Sequence, residues 1–306
     1  MSWIGGLAEW VEGDTAFLSI AFTWKIDEAI EKAMIHRFLG REVVVGGPGI
    51  FSSSIRKLIE PYATIGAPVL DAVRFHNPLA TRASRGCSAQ ERGCKVPCIV
   101  PAMDGKEFSL LPDFPVRPVL CDDNLSALPI EYQKFIISRY VAEDVPLTDA
   151  NSGFEPATFT DEIYQLWKPI NKGPWRFAFD EAGDREAAHR VMKMLRDVSG
   201  KNKRVYVLIG NEPFDECMGR IREVIELGCE PYVQPVMRLN ARERKPWVRF
   251  DWTEEKLQDV TRWANQWVWR KVPFSEYNRK LNKKRSAAAV EVYDDQQGLF
   301  VYEEEE

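Results

Sequence analysis

Between residues 79 and 237 short apolar runs alternate with helical stretches, and this alternation constrains the fold more than any other feature. The runs Ala80–Ser84, Pro118–Cys121, Leu147–Ala150, Arg176–Asp180, Arg204–Ile209 and Tyr232–Met237 read as strands. Pro129–Val141, Thr160–Trp167, Arg185–Val198 and Phe214–Leu227 read as helices between them. A helix that connects two strands of one sheet returns the chain in the same direction, almost always with a right-handed crossover. The series therefore predicts an α/β fold: a parallel sheet curled into a partial (βα)6 TIM-like barrel. Polar residues follow several strands, in Asp122-Asp123-Asn124, Asn151-Ser152, Asp180-Glu181, Asn211-Glu212 and Arg238. Ligands in such folds bind at the carboxyl ends of the strands, so these residues mark the expected site.

Upstream, residues 15–51 read as one βαβ unit. Ala16–Phe22 is a strand-like run, Ile26–Leu39 carries apolar residues at helical spacing, and Arg41–Val45 is a second strand closed by Gly46-Gly47-Pro48-Gly49. Residues 52–78, with Pro61, Pro68 and Pro78, read as a connector. The expected organisation is a small βαβ domain over 1–75, the barrel over 76–250, and a C-terminal helical extension over 251–306. The extension contains a basic segment, Arg270–Arg285, and an acidic run, Glu303–Glu306.

Composition excludes some classes. No apolar stretch reaches the roughly 18 residues that a membrane helix needs. No basic region precedes an apolar run at Met1–Gly6, so a cytoplasmic protein without membrane partners is expected. The net charge of −5 argues against a general grip on a phosphate backbone and leaves room only for a local patch.

Of six cysteines, Cys87, Cys94 and Cys98 fall within twelve residues, on the loop leaving the first barrel strand. Cys121, Cys217 and Cys229 are scattered. A tight group of cysteines in such a chain points to a metal site rather than to disulfides. Thiolates are strong soft donors for iron in clusters and for zinc. Three thiolates on a four-iron cluster leave one iron open to a small chelating molecule. His36, His76 and His189 lie apart from the cysteines, which argues against a Cys–His pair.

The stretch Arg85-Gly86-Cys87 through Cys98-Ile99-Val100-Pro101 resembles the radical S-adenosylmethionine (radical SAM) superfamily, in its methylthiotransferase-like and cobalamin-linked branches. Val119–Asn124 is similar to the second strand of those branches and Tyr206–Gly210 to their fifth. The resemblance covers roughly residues 75–245. The usual cysteine signature is C-x3-C-x2-C; here it is C-x6-C-x3-C, and Pro97 stands where an aromatic residue is common. The resemblance implies a [4Fe-4S] cluster on Cys87, Cys94 and Cys98, and S-adenosylmethionine as cofactor. It implies that Asp122, Asp123 and Asn124 meet the methionine ammonium. Asp180 and Glu181 would reach ribose hydroxyls, and Gly210 would let the backbone approach the adenine. Gln234 and Arg238 would hold a carboxylate or the substrate. The implied partners are an electron donor such as flavodoxin or ferredoxin, and a small-molecule or nucleotide/RNA substrate.

The N-terminal unit resembles a shortened cobalamin-binding domain, without its D-x-H-x-x-G motif. Two other readings stay open: a structural zinc site, and a cluster-bearing nucleic-acid-binding protein without turnover. Zinc knuckles usually come as two short C-x2–4-C spacings, and here only Cys94 and Cys98 stand at one.

Overall fold

The computed structural model describes residues 3–66, 69 and 71–279 of the chain. It is a mixed α/β structure built from several small sheets and, among the described residues, eight α-helices. The N-terminal sheet opens with a hairpin: β1 (Leu7–Glu12) and β2 (Thr15–Ile20) run antiparallel through the two-residue turn Gly13-Asp14. Helix α1 (Ile26–Phe38) crosses to β3 (Glu42–Gly46), parallel to β2. A second crossover, α2 (Ser53–Ile59), leads to β4 (Thr64–Ile65), parallel to β3. The expected βαβ unit is thus present and enlarged at both ends, giving the order β1-β2-β3-β4. The stretch expected as a connector contains α2 and β4. Ser52 starts α2 by accepting the Ile55 N–H, at 3.4 Å. Leu18, Ile20, Ile26, Ala29, Val45 and Ile59 fill the core beneath this sheet.

The chain then enters β5 (Ala80–Thr81) and leaves it at once. The run expected as one strand, Ala80–Ser84, is split. Its second half, β6 (Ser84–Arg85), pairs antiparallel with β7 (Ser109–Leu110), and the short helix α3 (Val100–Met103) lies between them. The physical reason lies in Asp122, which accepts the Ala83 N–H and the Ser84 hydroxyl and turns the backbone away from the sheet.

Next come β8 (Val119–Leu120), α4 (Ile130–Ala142), β9 (Asp149–Ala150), α5 (Asp161–Trp167) and β10 (Trp175–Ala178). They are followed by α6 (Arg185–Met194), β11 (Lys203–Ile209), α7 (Phe214–Glu226), β12 (Glu230–Pro235) and α8 (Glu254–Asn265). The order β5-β8-β9 forms one parallel sheet and β10-β11-β12 another. Parallel bridges Leu147–Asn171 and Phe154–Phe177 connect the two, so successive strands remain neighbours throughout. No closed barrel forms among the described strands.

Two apolar cores hold this region. Leu120, Ile136, Tyr140, Phe159, Trp167 and Phe177 pack under α4 and α5. Val205, Val207, Ile209, Ile221, Val233 and Leu257 pack under α7 and α8. The C-terminal helix is therefore part of the second core. Thr253 caps it by accepting the Lys256 N–H at 3.1 Å. Asn265 donates to the Val233 carbonyl and accepts its N–H, at 2.9 and 2.7 Å, and so covers the free edge of β12. Among the described residues no helix is long and apolar enough to cross a membrane. Lys280, Lys283, Lys284 and Arg285 of the basic segment, and the acidic run Glu303–Glu306, lie outside the described residues. Within that segment, Arg270 pairs with Glu230 at 2.5 Å.

Candidate functional site

The cysteine loop is tied down at its base. The β6–β7 ladder pairs Ser84 with Leu110 and Arg85 with Ser109. Cys87 N–H donates to the Gly105 carbonyl at 3.3 Å. Gly86 sits between these ties at φ +95, and a Cβ there would stand 2.2 Å from the Glu107 carbonyl oxygen. No other residue fits that approach without moving backbone.

Asp123 accepts the Gly86 N–H at 2.8 Å and an Arg82 N–H at 2.6 Å. Arg82 also donates to Asp104 at 2.9 Å. One guanidinium thus joins the start of the loop, its end and the turn after β8. Burial raises the Asp123 carboxyl, and the Arg82 charge pulls it back down. Asp122 is fully enclosed, and both its oxygens are taken by Ala83 and Ser84. Burial pushes its pKa up to about 6. The structure therefore makes Asp122 a brace of the loop, a role that the sequence alone did not reveal.

Asn124 is buried and bifunctional. Its amide donates to the Cys87 Sγ at 3.5 Å and to Glu155 at 2.6 Å. Glu155 in turn receives two N–H groups of Arg92, which stands in the first, longer gap between cysteines. A continuous chain, Arg92–Glu155–Asn124–Cys87, runs from the loop through the β9–α5 connection and back to a thiol. On the far rim, Lys95 N–H donates to Glu181 at 3.3 Å.

The thiols differ. Cys87 Sγ accepts the Ala89 N–H at 3.5 Å, and Cys98 Sγ accepts the Val100 N–H at 3.4 Å. Such donors stabilise a thiolate. Burial raises the Cys94 and Cys98 thiols, and the nearness of Cys87 to each raises them further. Among the described residues no three His, Cys, Asp or Glu side chains are gathered closely enough to hold one metal ion. Cys217 and Cys229 are core thiols, each pushed to about 11 by burial, and burial also raises Cys121.

Across the strand ends, Asp180 accepts the Leu208 N–H at 2.9 Å, and burial lifts its carboxyl to about 6. Asp184 accepts the N–H groups of Asp180 and Glu181, at 3.3 and 3.1 Å. Beneath them lies Arg220, fully buried, ion-paired with Glu212 and donating to the Leu208 carbonyl at 2.7 Å. Asp180 and Glu181 thus share one acidic rim that a buried arginine balances. Gly210, at φ +84, has Leu257 and Val236 each at 3.2 Å from where a Cβ would stand. Its glycine is required by backbone conformation and by packing of α8. Gln234 is exposed on β12, one strand away, and Arg238 lies over the Trp247 ring at 5.4 Å.

The structure therefore brings the cysteines, Asp123, Asn124 and Glu181 into one connected set. It sets Asp122 behind them, and Gly210 and Gln234 on neighbouring strand ends. Arg82, Arg92, Glu155 and Arg220 escaped sequence reasoning. Arg82, Arg92 and Glu155 join partners distant in sequence, such as Arg92 and Glu155, 63 residues apart, and no local pattern signals such a pair. The three histidines are engaged elsewhere: His36 with Glu9, His76 with Ser19 and His189 with Glu223. No protein-family model matches the chain, and no curated protein matches it.

Proposed function

We propose that this chain is a radical SAM enzyme that holds a [4Fe-4S] cluster on Cys87, Cys94 and Cys98. One observation carries the reading. Three thiols, each met by a backbone N–H, stand on one loop anchored beside the first of six parallel strands in chain order. On this reading the strands β5, β8, β9, β10, β11 and β12 are a partial (βα)6 barrel, preceded by the small N-terminal domain. The donor set fits a cluster: thiolates are its usual ligands, and N–H groups on sulfur are among the features that tune it.

A cluster held by Cys87, Cys94 and Cys98 would supply the electron for reductive cleavage of the S-adenosylmethionine sulfonium, and with it hydrogen-abstracting radical chemistry. The residues of this chain orient and shield. Asp122, Asp123 and Arg82 fix the entry of the loop. Asn124 and the Glu155 carboxylate offer acceptors to the methionine ammonium. Asp180 and Glu181 would reach the ribose hydroxyls, Gly210 would let the backbone approach the adenine, and Gln234 would hold a carboxylate or the substrate. The substrate is a small molecule, a nucleotide or an RNA base. A cytoplasmic electron donor of the flavodoxin or ferredoxin kind supplies the electron.

The test is anaerobic reconstitution. The wild type is expected to take up iron and sulfide and to show broad absorbance in the 400 nm region; Cys87→Ala, Cys94→Ala and Cys98→Ala are each expected to lose both. Cys217→Ala and Cys229→Ala should keep them. Iron uptake that survives loss of Cys94, or a wild type that takes zinc and no iron, would overturn the assignment.

A further inference from the structure

The loop from Arg238 to Phe250 joins β12 to α8 and carries a charge opposite to that of the chain. Arg238, Arg242, Arg244, Lys245 and Arg249 face one acid, Glu243, in a protein of net charge −5. The loop is built onto the fold at both ends. Trp247 N–H donates to the Val236 carbonyl at 2.7 Å, returning the chain to the end of β12. Thr23 donates to the Ala241 carbonyl, and Arg242 pairs with Asp27, which fastens the loop to the N-terminal unit.

An open groove of about 520 Å³ runs along it, lined by Arg238, Arg242, Lys245, Trp247 and Val248 and by one acid, Glu243, which pairs with Lys245 at 2.5 Å. That is the size range of small-ligand clefts. The Arg249 guanidinium lies 4.5 Å from the Trp247 centroid and 5.0 Å from that of Phe250. Phe250 is 56% exposed and holds φ +51. A bulky residue in the left-handed region is an outlier that the surrounding fold must sustain. Here the outcome is an aromatic ring presented to solvent beside stacked arginines.

We infer that this groove binds single-stranded nucleic acid. Two of the three cations that line it, Arg238 and Arg242, are arginines, and Arg249 stacks beside it; their planar forks pair with phosphate and stack on rings better than lysine does. An exposed ring next to a basic groove suits an unpaired base, which offers its face; a duplex keeps its bases covered. The groove stands on its own residues, so the inference goes beyond the cluster reading and holds whether or not iron is loaded.

The test is fluorescence anisotropy with a labelled oligouridylate of about 12 nucleotides, within the usual site size of such grooves. Three phosphate contacts predict an affinity loss of about 20-fold between roughly 50 and 200 mM salt. The double variant Arg238→Glu, Arg249→Glu should abolish binding and flatten the salt dependence. Phe250→Gly, which tolerates the left-handed backbone, should weaken binding about tenfold while leaving the salt slope unchanged. Cys87→Ala should bind as wild type does, which separates this site from the cluster. Absence of salt-dependent binding by wild type overturns the inference. So does arginine-dependent binding to phosphatidylserine vesicles or polyglutamate with none to the oligonucleotide.

Discussion

The two halves of the parallel-stranded region each rest on an apolar core, but different contacts set the geometry of their strands. In β5, β8 and β9 each strand is two residues long and contributes little ladder. Their geometry is set by side chains reaching between strands: Asp122 to Ala83 and Ser84, Asp123 to Gly86 and Arg82, and Arg117 to Asp71 and the Ala80 carbonyl. In β11 and β12 the strands run seven and six residues, and alternate side chains of β11 are buried beneath α7 and α8. The ladder does there what carboxylates and guanidinium groups do in the first half, whose own apolar core lies under α4 and α5. The cysteines stand on the half that is organised by polar contacts. The site thus gains fixed donors and acceptors, at the cost of depending on a few of them.

Three measurements sharpen or break this contrast. The largest stability effect is expected on the apolar side. Ile221→Ala removes a fully buried side chain of the second core and should cost about 2–5 kcal/mol, read from urea unfolding. Its reconstituted iron content should stay at the wild-type level in the folded protein. Asp123→Ala should cost less, about 2 kcal/mol, because it strands Arg82 and the Gly86 N–H in partly buried positions. It should nevertheless lose most of its iron. If Ile221→Ala lost iron and Asp123→Ala kept it, the division between the halves would fail.

The third effect concerns pH. The folded-state pKa of Asp122 is about 6, above the roughly 3.9 of an unfolded aspartate. Between those values the native state binds more protons than the unfolded one, so this residue's contribution to stability falls as pH rises through the window. Asp122→Asn keeps an acceptor for Ala83 and does not titrate. Its urea midpoint should gain on that of wild type from about pH 4 to about pH 6, and the gap should be level above that. Parallel midpoints across the range would show that Asp122 is not held in a raised state.

What was legible in the sequence follows the same division. β11, α7 and β12 were readable because apolar residues recur at the period of the element they form. β5 was read too long, because Ala83 and Ser84 look like strand residues until Asp122, 38 residues on from Ser84, takes their donors. β1 was passed over because Leu7–Glu12 mixes charge with single apolar residues and reads as polar. The cysteines stood out by chemistry and spacing. Their supporting residues did not, since Glu155 and Arg220 owe their roles to positions reached only in three dimensions. Gly210 was noticed, yet what requires a glycine there is its left-handed backbone at φ +84, with Leu257 and Val236 packed close by.

The clasp at the base of the cysteine loop has a consequence for how such a loop can lengthen. Because β6 pairs with β7 and Cys87 N–H meets the Gly105 carbonyl, the segment between them is a closed ring pinned at its neck. The entropy of closing such a ring rises only with the logarithm of its length. The four residues by which the C-x6-C-x3-C spacing exceeds C-x3-C-x2-C therefore cost about 0.2 kcal/mol. Insertions inside the neck leave the strand register untouched. The same residues inserted outside it would push Asp122 and Asp123 off their donors.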